Sequence, residues 1–364
     1  MTKSSFTEFK KNALTGIMKD RQLDRIKVID GLRFVAIFLV FIQHVQHKYI
    51  EQFPAYEMNV LQEINSKLAV GVELFFLISG FVICLQLNQI NKFDLNQILN
   101  FYGKRISRIW PPYLISLILG SVLLTWYSSI KINEIFEHLL VSSVLIHNLI
   151  YGYGSIINPV AWSLEIEIQF YIIAPLIFII SNKFPESYKK YIFISFGILG
   201  YILFLIIKKI LPDTPIFILL YLPYFMAGAI ICQMYLKKLL IQATKFDFLS
   251  IFFILIIPIL FWLDIRFKVI IISQILCILV YCILRSVYFK YILENTYIAF
   301  IGLISYSLYL IHNLILYFFG EKIMEIIKIH NSKVDFLEYF LVMIIIIFPI
   351  SILFYKKIEI RNRK

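Results

Sequence analysis

The segment VIDGLRFVAIFLVFIQH, residues 28–44, is an apolar run that carries Arg33 and His44 inside it. Continued to residue 48 as a helix, it is long enough to cross the roughly 30 Å hydrocarbon core of a bilayer. Nine further stretches of similar character follow, at 68–87, 111–130, 160–181, 191–211, 215–236, 247–264, 268–286, 297–319 and 336–356. The whole chain of 364 residues agrees with that reading, being 60% apolar and only 16% charged, with a mean hydropathy of +0.82. A soluble domain holds about 45–50% apolar and about 25% charged residues. With 34 Phe, 23 Tyr and 4 Trp there is more aromatic surface than one soluble core could bury. The composition excludes a cytosolic globular enzyme, a disordered chain and a disulfide scaffold. It predicts an all-α, polytopic membrane protein of about ten spans.

The net charge of +12 does not point to nucleic acid, because the basic residues fall between apolar blocks and not on one soluble face. With the N-terminus inside, 24 of the 35 Lys and Arg occupy the cytoplasmic segments, which predicts both termini in the cytoplasm and an even number of spans. Cys84, Cys232, Cys277 and Cys282 all lie in apolar stretches without CxxC or Cys/His spacing, so neither a metal site nor a disulfide framework is expected. Residues 1–27 lack the apolar core of a signal peptide. Phe6, Phe9, Leu14 and Ile17 instead share one face of a basic amphipathic helix suited to the inner leaflet. The expected organisation is that segment, one transmembrane domain over 28–356, and a basic cytoplasmic tail at 357–364. The stretch 135–151 is too short to span and reads as interfacial or re-entrant.

Ionisable side chains at membrane depth are expensive and mark function or internal pairing. Arg33 and His44 are eleven positions apart, so they share a helical face about 16 Å apart. Arg33 could snorkel to the interface or bind an anion; His44 could be a bonded core histidine or a base. His47, one turn further out, reads as interfacial. Glu73 is a candidate partner for a histidine or arginine. Glu165 and Glu167 are about 200° apart round their helix and cannot face one site, while Trp162 marks the outer interface. His312 shares a polar stripe with Ser305 and Tyr309, either helix–helix glue or part of a site. Arg105 and Arg108, at i and i+3 before Pro111-Pro112, read as positive-inside charge or as a phosphate clamp.

These residues lie in five blocks that resemble the acyltransferase-3 family of integral membrane acyltransferases. VIDGLRFVAIFLVFIQH supplies a basic residue and a histidine with ten residues between them (Arg33, His44). GVELFFLISGFVI carries Gly71, Glu73, Ser79 and Gly80, and FYGKRISRIWPPY gives the Arg-x-x-Arg pair Arg105 and Arg108. WSLEIEIQFY selects Glu167 over Glu165, and ISYSLYLIH aligns His312. In the fourth block Ile168 stands where a second Glu is common. The resemblance implies a cytoplasmic acyl-CoA co-substrate, often acetyl-CoA, with no bound cofactor. It also implies O-acylation of a cell-envelope carbohydrate at the inner (plasma) membrane. Because the sequence stops soon after the tenth stretch, a member without a C-terminal esterase-like domain is expected.

The resulting expectation places Arg33, Arg105 and Arg108 on the CoA phosphates and makes His44 the general base, its ring oriented by Glu167. His312, Ser305 or Tyr309 would bind the acceptor or the developing oxyanion; Glu73 and Trp162 would support them. No G-x-S-x-G elbow is present, which favours direct transfer, with an acyl-histidine left open. The acceptor could be an O-antigen sugar, an exopolysaccharide, peptidoglycan or a smaller glycosylated metabolite, possible membrane-anchored acceptors among them, and membrane lipids surround the chain. The rival reading is a proton-coupled secondary transporter, which also uses buried Arg, Glu and His. Against it, the sequence shows no inverted repeat. Consumption of acyl-CoA by the purified protein separates the two.

Overall fold

The computed structural model describes residues 26–54, 70–90, 93–237, 241–263, 267–329 and 333–360, and every regular element among them is helical. The amphipathic segment expected over 1–27 lies outside the described residues except for Ile26 and Lys27, as does the tail beyond Ile360. Helices α1 (Lys27–Gln52), α2 (Val70–Leu87) and α3 (Leu95–Tyr127) come first. A short pair follows, α4 (Ile132–Ser143) and α5 (His147–Tyr151), and then a 3-10 turn at Pro159–Ala161 that opens α6 (Trp162–Ser181). Next are α7 (Lys189–Ile210), α8 (Ile218–Leu236), α9 (Lys245–Trp262) and α10 (Lys268–Arg285). The chain closes with α11 (Tyr288–Leu293), α12 (Thr296–Leu303), α13 (Ser305–Ile326) and α14 (Lys333–Phe354), the last running into a π turn at Tyr355–Glu359.

Eight helices among the described residues are long and apolar enough to cross a membrane, or nine if α12 and α13 form one bent span. Ten were expected. The stretch 247–264 does fold as α9, which is not one of the eight. The stretch 135–151 becomes the 12-residue α4 and the 5-residue α5, neither of them of spanning length.

Two departures from the expected elements shape the interior. The third span was expected to begin at Pro111-Pro112, yet α3 starts at Leu95, where the Asp94 side chain accepts from the Gln97 N–H at 2.9 Å, and runs through both prolines. Buried membrane helices tolerate such breaks in their hydrogen-bond ladder because neighbouring groups satisfy the backbone. Arg105 and Arg108 are thereby held on a rigid helix and not in a loop. The ninth stretch, expected to be one helix over 297–319, is instead bent by 64° between α12 and α13. Hydropathy is unchanged across that bend, so the sequence pattern could not reveal it.

The centre of the bundle is α2 against α8, each with 67% of its apolar window buried. Small residues allow the backbones to touch, as membrane helices require where apolar burial gives no driving force. A Cβ at Gly80 would lie 2.0 Å from the Phe225 carbonyl oxygen, and one at Gly228 would lie 1.9 Å from that of Leu77. Any larger side chain would force the two helices apart. Around this pair the other spans turn their outer faces to the surroundings, α14 with only 22% of its window buried.

Candidate active site

Helices α1, α2, α3, α6 and α13 enclose a cavity of about 790 Å³, its open mouth included. Arg33, Arg105, Arg108, Ser79, Glu167, Tyr171, Ser305, Tyr306 and Tyr309 all line it. All five blocks quoted above are therefore joined at one cavity wall, although they lie far apart in the chain.

The cationic side has two kinds of arginine. Arg33 is paired, its Nη1 lying 3.2 Å from Asp30 Oδ1 one turn earlier on α1. Arg105 is 5% exposed and its guanidinium lies over the rings of Tyr171 and Phe101, at 5.5 and 5.9 Å from their centroids. Among the described residues neither Arg105 nor Arg108 has a carboxylate within 4.0 Å or a hydrogen bond. A desolvated guanidinium with no carboxylate in contact, Glu167 acting on Arg105 only at longer range, is an unfavourable arrangement that a bound anion would complete.

Glu167 lies deeper in the same cavity. Ser79 Oγ donates to its Oε1 at 2.6 Å, and the Tyr171 hydroxyl donates to the same oxygen. Tyr171 is four residues after Glu167 and so on the same helical face. Sequence reading did not single it out, although that spacing was a usable signal. Glu165 points elsewhere, as its 200° offset demands: its Oε2 accepts from the Asn148 N–H at 2.9 Å and pins α5 to α6.

His44 is not oriented by Glu167, and that expectation is corrected here. His44 Nδ1 is 2.9 Å from His312 Nε2, and His312 Nδ1 is 3.0 Å from the Leu308 carbonyl oxygen. The carbonyl can only accept, so His312 carries its proton on Nδ1 and receives the His44 N–H at Nε2. This leaves the lone pair of His44 on Nε2. Helical spacing within each span could not show that α1 and α13 would meet at these two rings. His312 is fully buried and His44 half-buried. Tyr309 forms the wall shared with the cavity. Its ring packs 5.8 Å from that of His312, and its hydroxyl bonds the Val160 carbonyl and, at 2.8 Å, Ser163 Oγ.

Glu73 has no histidine or arginine partner, and its Oε2 is buried without any hydrogen bond. Trp162 packs on Phe76 and Tyr221 at 6.5 and 5.7 Å between ring centroids. His47 is exposed. No group of three or more His, Cys, Asp or Glu among the described residues could hold a metal ion.

The acyltransferase-3 family model, an acyltransferase domain, matches residues 26–356, the stretch that holds the Arg-x-x-Arg, basic-x10-His and Trp-Ser-Leu-x-x-Glu helices. The chain belongs to the acyltransferase-3 family. Among curated relatives, the acyltransferase MdmB of Streptomyces mycarofaciens is 25% identical over 171 residues, 44% of this chain and 41% of the relative. An uncharacterized protein of Haemophilus influenzae is 34% identical over 151 residues, 36% of this chain and 58% of the relative. The chain thus matches about half the length of these relatives. No solved structure matches it. As an acyltransferase-3 member with eight or nine spanning helices it is a multi-pass membrane protein.

Proposed function

We propose that the protein transfers an acyl group, acetyl in the simplest case, from cytoplasmic acyl-CoA to a hydroxyl of a cell-envelope carbohydrate across the inner membrane. The observation that carries this reading is the buried Arg105, stacked on aromatic rings beside Arg108, with no carboxylate on either. Guanidinium groups bind phosphate bidentately and keep their charge, and CoA presents phosphates at one end and a thioester at the other. Arg33, already paired with Asp30, lines the same mouth.

In this mechanism His44 Nε2 accepts the proton of the acceptor hydroxyl. The alkoxide oxygen attacks the thioester carbonyl, a C–O bond forms, the C–S bond breaks and CoA leaves as a thiolate that takes up a proton. His312 fixes the tautomer that frees Nε2 and stabilises the charge that builds on the His44 ring. Ser305 would meet the carbonyl oxygen or the acceptor, and Tyr309, whose hydroxyl proton is held by the Val160 carbonyl, would shape that wall. Glu167, tied to Ser79 and Tyr171 near Arg105, shapes the donor cavity. Helix α1 separates Arg33 from His44 by about 16 Å, a distance suited to the extended arm of CoA.

The test is CoA release from acetyl-CoA by purified protein supplied with envelope glycans. His44→Ala is expected to lower it by about 10²–10⁴-fold, the usual worth of general-base catalysis, with the protein still folded in the membrane. Near-normal turnover in that variant would remove His44 from the chemistry.

A further inference from the structure

Helices α2, α6 and α8 enter the bundle from one side, and each carries a distinctive residue in its first turn: Glu73, Trp162 and Tyr221. By the distribution of Lys and Arg this is the side opposite the cytoplasm. The rings of Trp162 and Tyr221 lie 5.7 Å apart, both partly exposed, and both pack against Phe76. Glu73 is within electrostatic range of Tyr221 and Tyr224, yet its Oε2 is buried and accepts no hydrogen bond. Among the described residues no cation pairs with it.

A buried carboxylate oxygen with no donor calls for an explanation, since leaving it unsatisfied costs about 1–3 kcal/mol or more. The neighbouring groups exclude an anionic ligand, because an acidic side chain beside ring faces repels one. They suit a molecule that offers hydroxyl donors at its edge and a C–H face to aromatic rings, the combination a pyranose presents. The position is also right. Ser163, next to Trp162, bonds the Tyr309 hydroxyl, and the Tyr309 ring packs on His312, the partner of His44.

We propose that Glu73, Trp162 and Tyr221 form the subsite that holds the sugar ring of the acceptor, Trp162 and Tyr221 by stacking and Glu73 by accepting its hydroxyl hydrogens. This rests on the carbohydrate-acceptor reading given above and assigns it a place. The test is tryptophan emission of the detergent-solubilised protein titrated with methyl glucoside, methyl galactoside, methyl rhamnoside and N-acetylglucosamine. At least one sugar is expected to change the emission of the wild type, with the change absent in Trp162→Phe. Its apparent affinity should fall about tenfold or more in Glu73→Gln, a near-isosteric change, and in Tyr221→Ala. No response to any of the four, or an undiminished response in Glu73→Gln, overturns the proposal. CoA affinity on the same samples is expected to stay within about twofold of wild type, because it is read at the cavity that holds Arg33, Arg105 and Arg108, which Glu73, Trp162 and Tyr221 do not line. Failure of the wild type to bind CoA would refute the donor reading and leave the sugar subsite standing.

Discussion

At the scale of single residues, the decisive contrast is between arginines with and without a counter-charge. Arg33 lies 3.2 Å from Asp30, and Arg105 lies only over rings. A ligand phosphate therefore gains most from Arg105 and Arg108. Replacing both by Ala is expected to weaken CoA binding by about 10²–10⁴-fold, from loss of at least two charge-assisted bonds each worth about 1.5–3 kcal/mol. Isothermal titration with CoA would measure it, and an unchanged affinity would refute the clamp. The sequence made these two arginines legible through their i, i+3 spacing. It made Ser79 visible as part of a block, but gave no sign that its hydroxyl reaches Glu167 across 88 positions. The pairing of His44 with His312, 268 positions apart, was equally out of reach. Local periodicity reports which face a residue occupies and says nothing of what that face meets.

At the scale of elements, apolar length revealed most of the spans, because the bilayer fixes how long a crossing helix must be. It did not reveal the breaks. Pro111 and Pro112 look like a helix start and are helix interior, and Ile304 looks like helix interior and is the corner between α12 and α13. The corner is what turns Ser305, Tyr306 and Tyr309 to the cavity. The α4–α5 pair has its own chemistry. The His147 ring packs on Tyr151 and Tyr153, its Nδ1 faces the Tyr153 carbonyl oxygen at 3.2 Å, and its Nε2 lies 2.7 Å from His138 Nδ1. Burial lowers its pKa below the ordinary 6.5, the Tyr153 carbonyl opposing this and His138 adding to it. The folded pair thus binds fewer protons than the unfolded chain in acid. Its stability is complete above the ordinary value and declines as the pH falls below it. Hydrogen-exchange protection over residues 138–153 should weaken between about pH 7 and about pH 5, and His147→Gln should flatten that dependence. Protection that is already flat in the wild type would contradict it.

At the scale of the whole molecule, 24 of 35 Lys and Arg fall on one side when all ten apolar stretches cross, α9 among them, and this orients the bundle. A fluorescent protein fused to the C-terminus is expected to light up in the cytoplasm. A cysteine introduced at Asp213, between α7 and α8, should react with an impermeant maleimide from outside. Cys84, Cys232 and Cys282 are buried and Cys277 partly so, which keeps the background low. Labelling only after the membrane is opened would reverse the assigned orientation. With Arg105 on the cavity and His44 beyond Tyr309, the proposed mechanism calls for a hydrophilic channel from side to side. A cell that lives on its proton gradient could not tolerate such a channel standing open. The Tyr309 hydroxyl, fastened to Val160 and Ser163 between the Arg105 cavity and the histidine pair, is the expected plug. Proteoliposomes carrying Tyr309→Ala should lose an imposed pH difference faster than those with the native chain, and equal rates would show that the seal lies elsewhere. On that expectation the tyrosine between the proposed donor and acceptor sides also keeps the membrane energised between turnovers.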